Sequence, residues 1–361
     1  MVGTMADVVF ADAIVKNIVG FDHELGYEAI RKDAYEIPPE GVNGIGRVCL
    51  ESYLSKGYIP RGSPMTTGGP CTEVVSRSLN YLQSDWAIAQ AAKALGKVSD
   101  AAELESRASN YSQLWHFDTG FFRSKEVVTE RWSSPFDQFA WGDPYTEGGP
   151  WQYKFYVPYD PKGLADLFSS SGRNICDELQ RAQTMQPTFH VGYYSNEIHE
   201  QTELPEHCWG QYSHNNQPVH YMLYMFQASD PSGYSGQCAK QGSFWLRKTM
   251  RELYKPGNDM FSGDEDNGSM SAWFVLSSLG LYSLAPGSPE YQLGTPLFSK
   301  VVIDVGAPIP LTIVANNNSP DNKYVKKVYW NGKVLSENAS SISYATLMMG
   351  GTLTFDMTGG Q

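Results

Sequence analysis

One loop of this sequence carries a carboxyl group in surroundings that suit proton donation. Glu147 lies within residues 144–151, between tyrosine and tryptophan residues and next to two glycines. Rings that keep water away from a carboxyl disfavour its charged form, so the proton is retained and can be donated. A solvent-exposed glutamate that accepts hydrogen bonds from backbone amides is the plainer interpretation. The loop therefore makes Glu147 a candidate general acid.

A second loop holds three acidic residues directly before a predicted helix. Asp264, Glu265 and Asp266 follow one another between two glycines. Crowding makes it costly to ionise all three, which suits a cation site or a general base. A helix cap with solvated charges explains such runs more often. Both interpretations stay open from the residues alone.

A third group lies within residues 214–218. Asn216 and Gln217 offer amide oxygens, which are hard ligands that suit calcium better than a transition metal. His214 and His220 are too far apart in sequence, and too close to a predicted helix start, to indicate a two-histidine metal site. The sequence has no Walker loop, no dinucleotide-binding glycine motif, no HExxH and no GxSxG. Acidic residues in aromatic, glycine-rich loops remain, and these are typical of a glycosidase.

Helices are predicted to position these loops over residues 1–283. Apolar residues recur at steps of three and four, in segments that begin near Val8, Val75, Ala101, Pro218, Leu246 and Met270. Thr72 is a predicted cap for the second segment, and Asp100 with Glu103 forms a predicted capping box for the third. The long loops 57–70, 133–151 and 202–217 separate them. Helical hairpins with long loops at one end are consistent with an α/α toroid.

Residues 284–361 are predicted to form strands. Short β-branched runs occur at Val301–Ile303, Leu311–Val314 and Val325–Trp330. Asn331-Gly332 between two apolar pairs is a strong hairpin signal. We expect an antiparallel sheet, which is thin for an independent sandwich and is expected to pair with strands from a segment preceding this chain.

Composition limits the classes of partner and compartment. A net charge of −12 over 361 residues argues against nucleic acid, and no apolar run is long enough for a membrane helix. The five cysteines contain no CxxC pair, and Cys208 with Cys238 is a candidate disulfide that leaves an odd thiol. Four sequons, at Asn110, Asn267, Asn317 and Asn338, are compatible with secretion. No signal peptide is visible, and one is expected upstream of this chain.

At these residues the sequence resembles glycoside hydrolase family 92. The resemblance runs through nearly the whole chain and is carried by Met1–Thr4, Lys56–Pro60, Ser84–Gln90, Asp118–Phe121, Tyr145–Gly148, Asn216–Pro218, Gly263–Gly268, Met270–Trp273 and Gly294–Phe298. Set against the family pattern, the chain is expected to begin after the amino-terminal β-sandwich and some of the barrel segments, and to end at Gln361 close to, but short of, a natural terminus. Gly149 stands where the family often has asparagine.

The resemblance implies an incomplete (α/α)6 barrel, a six-hairpin toroid, over 1–283 and β-sandwich strands over 284–361. It implies a secreted, calcium-dependent exo-α-mannosidase that inverts the anomeric centre of terminal mannosides, with α-1,2 linkages expected, in N-glycans or mannans. The expected partners are mannose-containing oligosaccharides or glycoproteins, with no nucleic acid and no membrane. The resemblance assigns site residues as follows: Glu147 as acid, Asp266 as base, Asp264 in support, Asn216, Gln217 and Glu252 as calcium ligands, and Trp151, Glu265 and His214 as sugar contacts.

Two other functions are weighed against this one. A catalytically inactive glycan-binding fragment is compatible with the aromatic loops and with the segments that precede this chain in the family. Another helical-toroid enzyme, such as a polysaccharide lyase, is also compatible with the helical pattern. A chain of net charge −12 is a poor match for the acidic polymers that lyases cleave.

Overall fold

The computed structural model describes residues 2–39, 45–65, 68–336 and 338–360, apart from the side chain of His207. The α-helices are α1 Ala6–Val15, α2 His23–Tyr35, α3 Leu50–Lys56, α4 Val74–Ala94, α5 Val98–Ala108, α6 Pro150–Tyr153, α7 Pro161–Ser170, α8 Ile175–Thr184, α9 His199–His207, α10 Met222–Ala228, α11 Gln237–Glu252, α12 Ser269–Ser278 and α13 Tyr344–Met348. The strands are β1 Trp115–His116, β2 Phe121–Phe122, β3 Leu281–Tyr282, β4 Glu290–Leu293, β5 Lys300–Ile303, β6 Leu311–Asn316, β7 Tyr324–Trp330, β8 Lys333–Val334, β9 Ser341–Ser343 and β10 Gly351–Thr358. The mainly helical prediction with strands near the carboxyl terminus is confirmed.

The predicted capping box at the start of α5 is wrong. The helix begins at Val98, so Asp100 lies inside its first turn. The Asp100 carboxylate instead accepts hydrogen bonds from the Tyr27 hydroxyl at 2.7 Å and from the Arg31 Nε at 2.6 Å, both on α2. The Asp100 carboxylate therefore makes contacts with another helix and does not cap its own. The Thr72 cap is also wrong, because Glu73 precedes α4 and makes no side-chain cap.

Two buried regions organise the helices. In the first, α4 packs against α1, α2 and α5. There Arg47 is fully buried, and its guanidinium binds the carboxylates of Asp7 at 3.0 Å and Asp85 at 2.5 Å. In the second, every residue of α10 is buried. A short 3-10 turn at Gln217–Val219 leads into α10, so residues 214–217 lie at the edge of the large hydrophobic core that α10 helps to form. Two predicted loops are partly helical, since α6 begins at Pro150 and α9 occupies 199–207.

The strands form two sheets besides the short β1–β2 pair. One has the order β5-β6-β10-β7-β8 and the other β3-β4-β9. All pairings are antiparallel as predicted, except that β10 runs parallel to β6. The predicted hairpin is confirmed, because Tyr329 pairs with Val334 and both Asn331 and Gly332 have positive φ. The division of the chain at residue 284 stays a prediction, and the pairing of Leu281 with Leu293 crosses that point.

The disulfide expected between Cys208 and Cys238 is wrong. Cys238 on α11 is bonded to Cys176 on α8, and Cys49 is bonded to Cys71. Cys208 is a buried free thiol whose Sγ lies 3.2 Å from the Asn215 Oδ1. Because α11 lies near α8, Cys238 is bonded to Cys176, which is farther away in sequence than Cys208. Within the described ranges, no helix combines the length and apolarity needed to cross a membrane.

Candidate active site

The loop that carries Glu147 is held by side chains from two other segments. Glu147 adopts a left-handed backbone conformation with φ of 44°, which is uncommon for a residue with a Cβ. Its N–H donates to the Tyr194 hydroxyl at 2.7 Å, and its carbonyl accepts from the Asn216 Nδ2 at 2.7 Å. The loop closes on itself because the Gly142 N–H donates to the Gly148 carbonyl at 2.9 Å. These contacts fix the peptide from which the half-buried Glu147 carboxyl projects.

Two adjacent amides connect this loop with the second acidic loop. The Asn216 Nδ2 donates to the Glu147 carbonyl, while the Gln217 Nε2 donates to the Asp266 carboxylate. Asp266 is half-buried and has a positive φ of 58°. The structure therefore brings together three of the groups singled out in the sequence, although residues 147 and 266 are far apart along the chain.

The remaining carboxylates of the second loop have different surroundings. Glu265 accepts hydrogen bonds from the Gly268 N–H at 2.6 Å and the Ser271 N–H at 3.2 Å, at the start of α12. Hydrogen bonds from Ser271 and Gly268 lower the pKa of Glu265, because they favour its charged form. Glu265 therefore acts as a helix cap here, which is the plainer of the two interpretations. Asp264 is exposed.

Asp264 lies at a cavity of about 560 Å³ next to the second loop. The cavity lining includes the carboxylates of Glu203, Glu206, Glu252, Asp259 and Asp264, together with Trp209 and Lys255. Glu203 lines the cavity and also contacts the segment that carries Asn216 and Gln217, because its Oε2 accepts from the Nδ2 of the neighbouring Asn215 at 2.7 Å. The excess of negative charge disfavours an anionic ligand at this place.

Three further predicted site residues, Trp151, His214 and Glu252, lie apart from the cluster that residues 147, 216, 217 and 266 form. Trp151 is fully buried, and its ring packs edge-on against Phe121. His214 is also fully buried, with its Nδ1 2.7 Å from the Tyr212 hydroxyl and its Nε2 2.8 Å from the Tyr254 hydroxyl. Burial lowers the pKa of His214 well below its ordinary value, so the ring is neutral. Neither ring offers a surface to a sugar.

Glu252 is the third of these residues. It lies exposed near the end of α11, where its Oε2 binds the Lys248 ammonium at 2.5 Å. It lines the acidic cavity, while the amide cluster is built from residues 147, 216, 217 and 266. A role in holding a cation would require the Glu252 carboxylate to exchange its lysine partner for the ion.

Two residues near Glu147 were missed by the sequence analysis. Burial raises the pKa of Tyr194 to about 12, so its hydroxyl keeps its proton at neutral pH. Burial raises the pKa of Glu200, and the nearby charges of Glu147 and Glu203 add to this effect. A single tyrosine in an irregular segment carries no local signal of such a contact. Only the position of residues 190–194 beside the acid loop reveals it.

The oxygen donors of residues 216, 217 and 266 are of the chemical type that calcium prefers. Calcium takes six to eight oxygen ligands in flexible geometry. Asn216, Gln217 and Asp266 supply amide and carboxylate oxygens, and Asn216 Oδ1 already accepts from the Gln217 N–H at 3.0 Å. Within the described part of the chain, no group of three or more His, Cys, Asp or Glu side chains is arranged to hold a metal. Such a site would therefore depend on amide oxygens.

Comparison with known proteins gives one consistent result. The family model described as the glycosyl hydrolase family 92 catalytic domain matches residues 1–359. An uncharacterized secreted glycosidase of Arthroderma benhamiae is 27% identical, and the match covers 97% of this chain and 44% of that protein.

Solved structures of the same family are also similar. An inverting mannosidase of family 92 from Bacteroides thetaiotaomicron is 30% identical, with a TM-score of 0.81 over 100% of this chain and 46% of that one. An α-mannosidase of the family from the same bacterium, in complex with mannoimidazole, is 29% identical, with a TM-score of 0.83 over 100% of this chain and 44% of that one. The chain therefore spans less than half the length of these relatives.

Proposed function

This chain belongs to glycosyl hydrolase family 92, and we propose that it supplies the acid and the base of a calcium-dependent exo-α-mannosidase. The family match favours this activity over a polysaccharide lyase. Solved relatives are an inverting mannosidase and an α-mannosidase in complex with mannoimidazole. The single observation that carries the assignment within this chain is the bridge from Glu147 to Asp266 through the amides of Asn216 and Gln217.

In the proposed reaction, Glu147 is the general acid and Asp266 the general base. Glu147 gives its proton to the glycosidic oxygen as the bond from that oxygen to the anomeric carbon breaks. A water molecule attacks the opposite face of the anomeric carbon and gives its proton to the Asp266 carboxylate, with Asp264 in support. An inverting enzyme needs its two carboxyl groups about 6.5–9.5 Å apart, so that the water fits between them. A rigid bridge between the two loops would maintain such a spacing.

We propose that Asn216 and Gln217 present oxygens to calcium while their NH₂ groups hold the two loops. Calcium, when bound, would orient hydroxyl groups of the terminal mannose and favour a distorted ring. Glu252 stays a predicted third ligand, although its carboxylate binds Lys248. We leave Trp151 and His214 outside the proposed site because both rings are fully buried. Glu265 is assigned to capping α12.

The finer expectations about fold, substrate and compartment belong to the same proposal. We propose an (α/α)6 barrel over 1–283 and β-sandwich strands over 284–361, a proposal supported by the family match and by the helices that precede the carboxyl-terminal strands. The proposed substrates are terminal α-mannosides, α-1,2 in the first instance, of N-glycans or mannans. Secretion is supported by the name of the Arthroderma relative and by the sequons.

The test is mannose release from an activated aryl α-mannoside and from α-1,2-mannobiose, each with calcium and with EDTA. We expect release that EDTA abolishes. Glu147→Gln is expected to lower kcat on mannobiose by about 10²–10⁴-fold, because the leaving oxygen then lacks its proton donor. Asp266→Asn is expected to lower kcat by a similar factor on both substrates, since each reaction needs the water to be activated.

Glu197→Gln is the matched control, because Glu197 is an exposed loop glutamate outside the cluster. It should retain the wild-type rate. An unaltered rate in Glu147→Gln would show that the acid has been assigned to the wrong residue. Mannose release that EDTA leaves unchanged would remove calcium from the proposal.

A second function is favoured by one observation, namely that the chain spans less than half the length of its relatives. If groups needed for turnover lie outside these residues, the chain would bind mannosides without cleaving them. Titration calorimetry with mannose and mannobiose in calcium separates the two. Heat of binding without mannose release supports a glycan-binding chain, whereas release supports the enzyme.

A further inference from the structure

We infer that Tyr194 is a positioning residue for the general acid, acting through the peptide N–H of Glu147. The inference rests on the proposed role of Glu147. Its basis is the 2.7 Å hydrogen bond from the Glu147 N–H to the Tyr194 hydroxyl oxygen. A phenol oxygen thereby takes the place that a backbone carbonyl or a water would have in an ordinary loop.

The backbone of Glu147 needs such a contact. A residue with a Cβ is strained at a φ of 44°, and such conformations persist where surrounding groups over-determine them. Two groups do so here, since Tyr194 binds the N–H and Asn216 binds the carbonyl of the same residue. If the Tyr194 contact is lost, the peptide before Glu147 can rotate toward negative φ. The Glu147 side chain then points elsewhere.

Tyr194 is itself fixed relative to the acid loop. The segment that carries it runs beside residues 139–141, where the His190 N–H donates to the Phe139 carbonyl at 2.8 Å and the Trp141 N–H to the His190 carbonyl at 3.1 Å. The Tyr193 N–H then donates to the Trp141 carbonyl at 3.0 Å. The Tyr194 ring packs against the small core around Trp141. The hydroxyl is therefore held against the base of the loop that it stabilises.

The electrostatic surroundings keep Tyr194 neutral. Besides burial, the charges of Glu73, Glu147 and Glu200 raise its pKa, while the hydrogen bond from the Glu147 N–H lowers it. A neutral phenol oxygen accepts the Glu147 N–H without adding a charge beside the acid. Phenylalanine has the same ring and lacks only the hydroxyl group, so Tyr194→Phe removes the acceptor of the Glu147 N–H while keeping the ring in place.

A misplaced acid has a kinetic signature that general loss of structure lacks. A poor leaving group such as a second mannose depends on protonation, whereas an activated aryl group departs with little help. Loss of positioning should therefore reduce kcat for mannobiose far more than for the aryl mannoside. Because the proposed function assigns the terminal mannose to calcium held by Asn216 and Gln217, and not to Tyr194, KM should change little.

The experiment compares Tyr194→Phe with Tyr193→Phe in this chain. Tyr193 is the exposed neighbour in the same 3-10 turn, and its structural hydrogen bond uses its backbone N–H, which phenylalanine keeps. We expect Tyr194→Phe to lower kcat on α-1,2-mannobiose by about 10–100-fold, in line with small displacements of catalytic groups. KM should stay within about twofold of wild type, and the thermal midpoint should fall by no more than the few degrees that loss of one hydrogen bond costs. Tyr193→Phe should match wild type in all respects.

A double variant completes the test. In the Glu147→Gln background, Tyr194→Phe should cause no further loss, since a residue that acts through the acid has nothing left to position. An equal fall on both substrates, a raised KM, or a further loss in the Glu147→Gln background would overturn the inference. If Glu147→Gln is inactive while Tyr194→Phe is normal, the inference fails and the proposed function stands. An active Glu147→Gln or an inactive wild-type chain contradicts the proposed function and the inference with it.

Discussion

At the scale of single residues, the side-chain amides of Asn216 and Gln217 have an NH₂ donor and an oxygen acceptor with separate roles. Each NH₂ group donates to one of the two acidic loops. The Asn216 Oδ1 also accepts from the Gln217 N–H, but an amide oxygen has two lone pairs and can make a further contact. An amide is suited to this because it carries a donor and an acceptor side by side without charge. Aspartate or glutamate at the same positions would keep an oxygen ligand and lose the donor.

Gln217→Glu separates these two uses. The new carboxylate would lie against Asp266, and a like charge raises the pKa of its neighbour. The base must be ionised to accept a proton, so the acid limb of the pH profile of kcat/KM should move upward by about one unit or more. Activity near pH 5 should fall while activity near pH 8 is retained.

The measurement is a pH profile on the aryl mannoside with calcium present. Gln186→Glu is the control, because Gln186 is exposed and the variant adds the same charge away from the cluster. An acid limb that stays in place in Gln217→Glu would mean that Asp266 is not the group that titrates there.

At the scale of elements, the Glu147 loop is supported by two irregular segments and not by a helix or a strand. Residues 139–142 and 189–194 exchange backbone hydrogen bonds and support both the Glu147 loop and Tyr194. Gly192 lies where the two segments approach each other closely. A Cβ added there would lie 2.3 Å from the Trp141 carbonyl oxygen. The close approach therefore depends on a glycine.

Gly192→Ala tests this approach against a control of similar backbone geometry. Gly172 has a φ of 71° and Gly192 one of 63°, but a Cβ at Gly172 would meet nothing within 4 Å. Gly172→Ala should cost about 1 kcal/mol of unfolding free energy from its backbone conformation alone. Gly192→Ala should cost at least about 2 kcal/mol more, because Trp141 must move.

Urea unfolding gives the two free energies, and kcat on mannobiose should fall only in Gly192→Ala. Equal costs in the two variants would show that the segments separate without penalty. The Glu147 loop would then have to be held by other contacts.

At the scale of the whole molecule, the disulfides Cys49–Cys71 and Cys176–Cys238 both lie within the helical part, so among the described residues no disulfide joins the helices to the carboxyl-terminal strands. Cys49–Cys71 joins the start of α3 to the segment before α4, while Cys176–Cys238 joins α8 to α11. The second bond links elements that pack on the buried α10. It thereby stabilises the core from which residues 214–217 emerge.

Peptide mapping of the oxidised protein should recover these two linked pairs, with Cys208 labelled only after unfolding because it is buried. Cys238→Ser should lower the free energy of unfolding by about 2–4 kcal/mol, since the unfolded chain regains the freedom of a long loop. Cys208→Ser is the control and should cost less, because no cross-link is lost. A mapped Cys208–Cys238 peptide would contradict this arrangement.

The sequence by itself determined the features that are built from neighbours in the chain. Asn331-Gly332 specified its hairpin because both residues tolerate the positive φ that a tight turn requires, and the apolar period specified α4. The acidic and amide motifs were visible because each occupies a few consecutive residues. The resemblance to family 92 rests on the same short motifs.

The tertiary structure alone decided which side chains meet and which are buried. Trp151 and His214 have the right chemistry for a sugar site, yet packing encloses both. Cys238 paired with Cys176, and Tyr194 came to support Glu147, because segments distant in sequence lie side by side. Periodicity and turn chemistry act over a few residues, whereas burial and hydrogen-bond partners are set by contacts between distant segments.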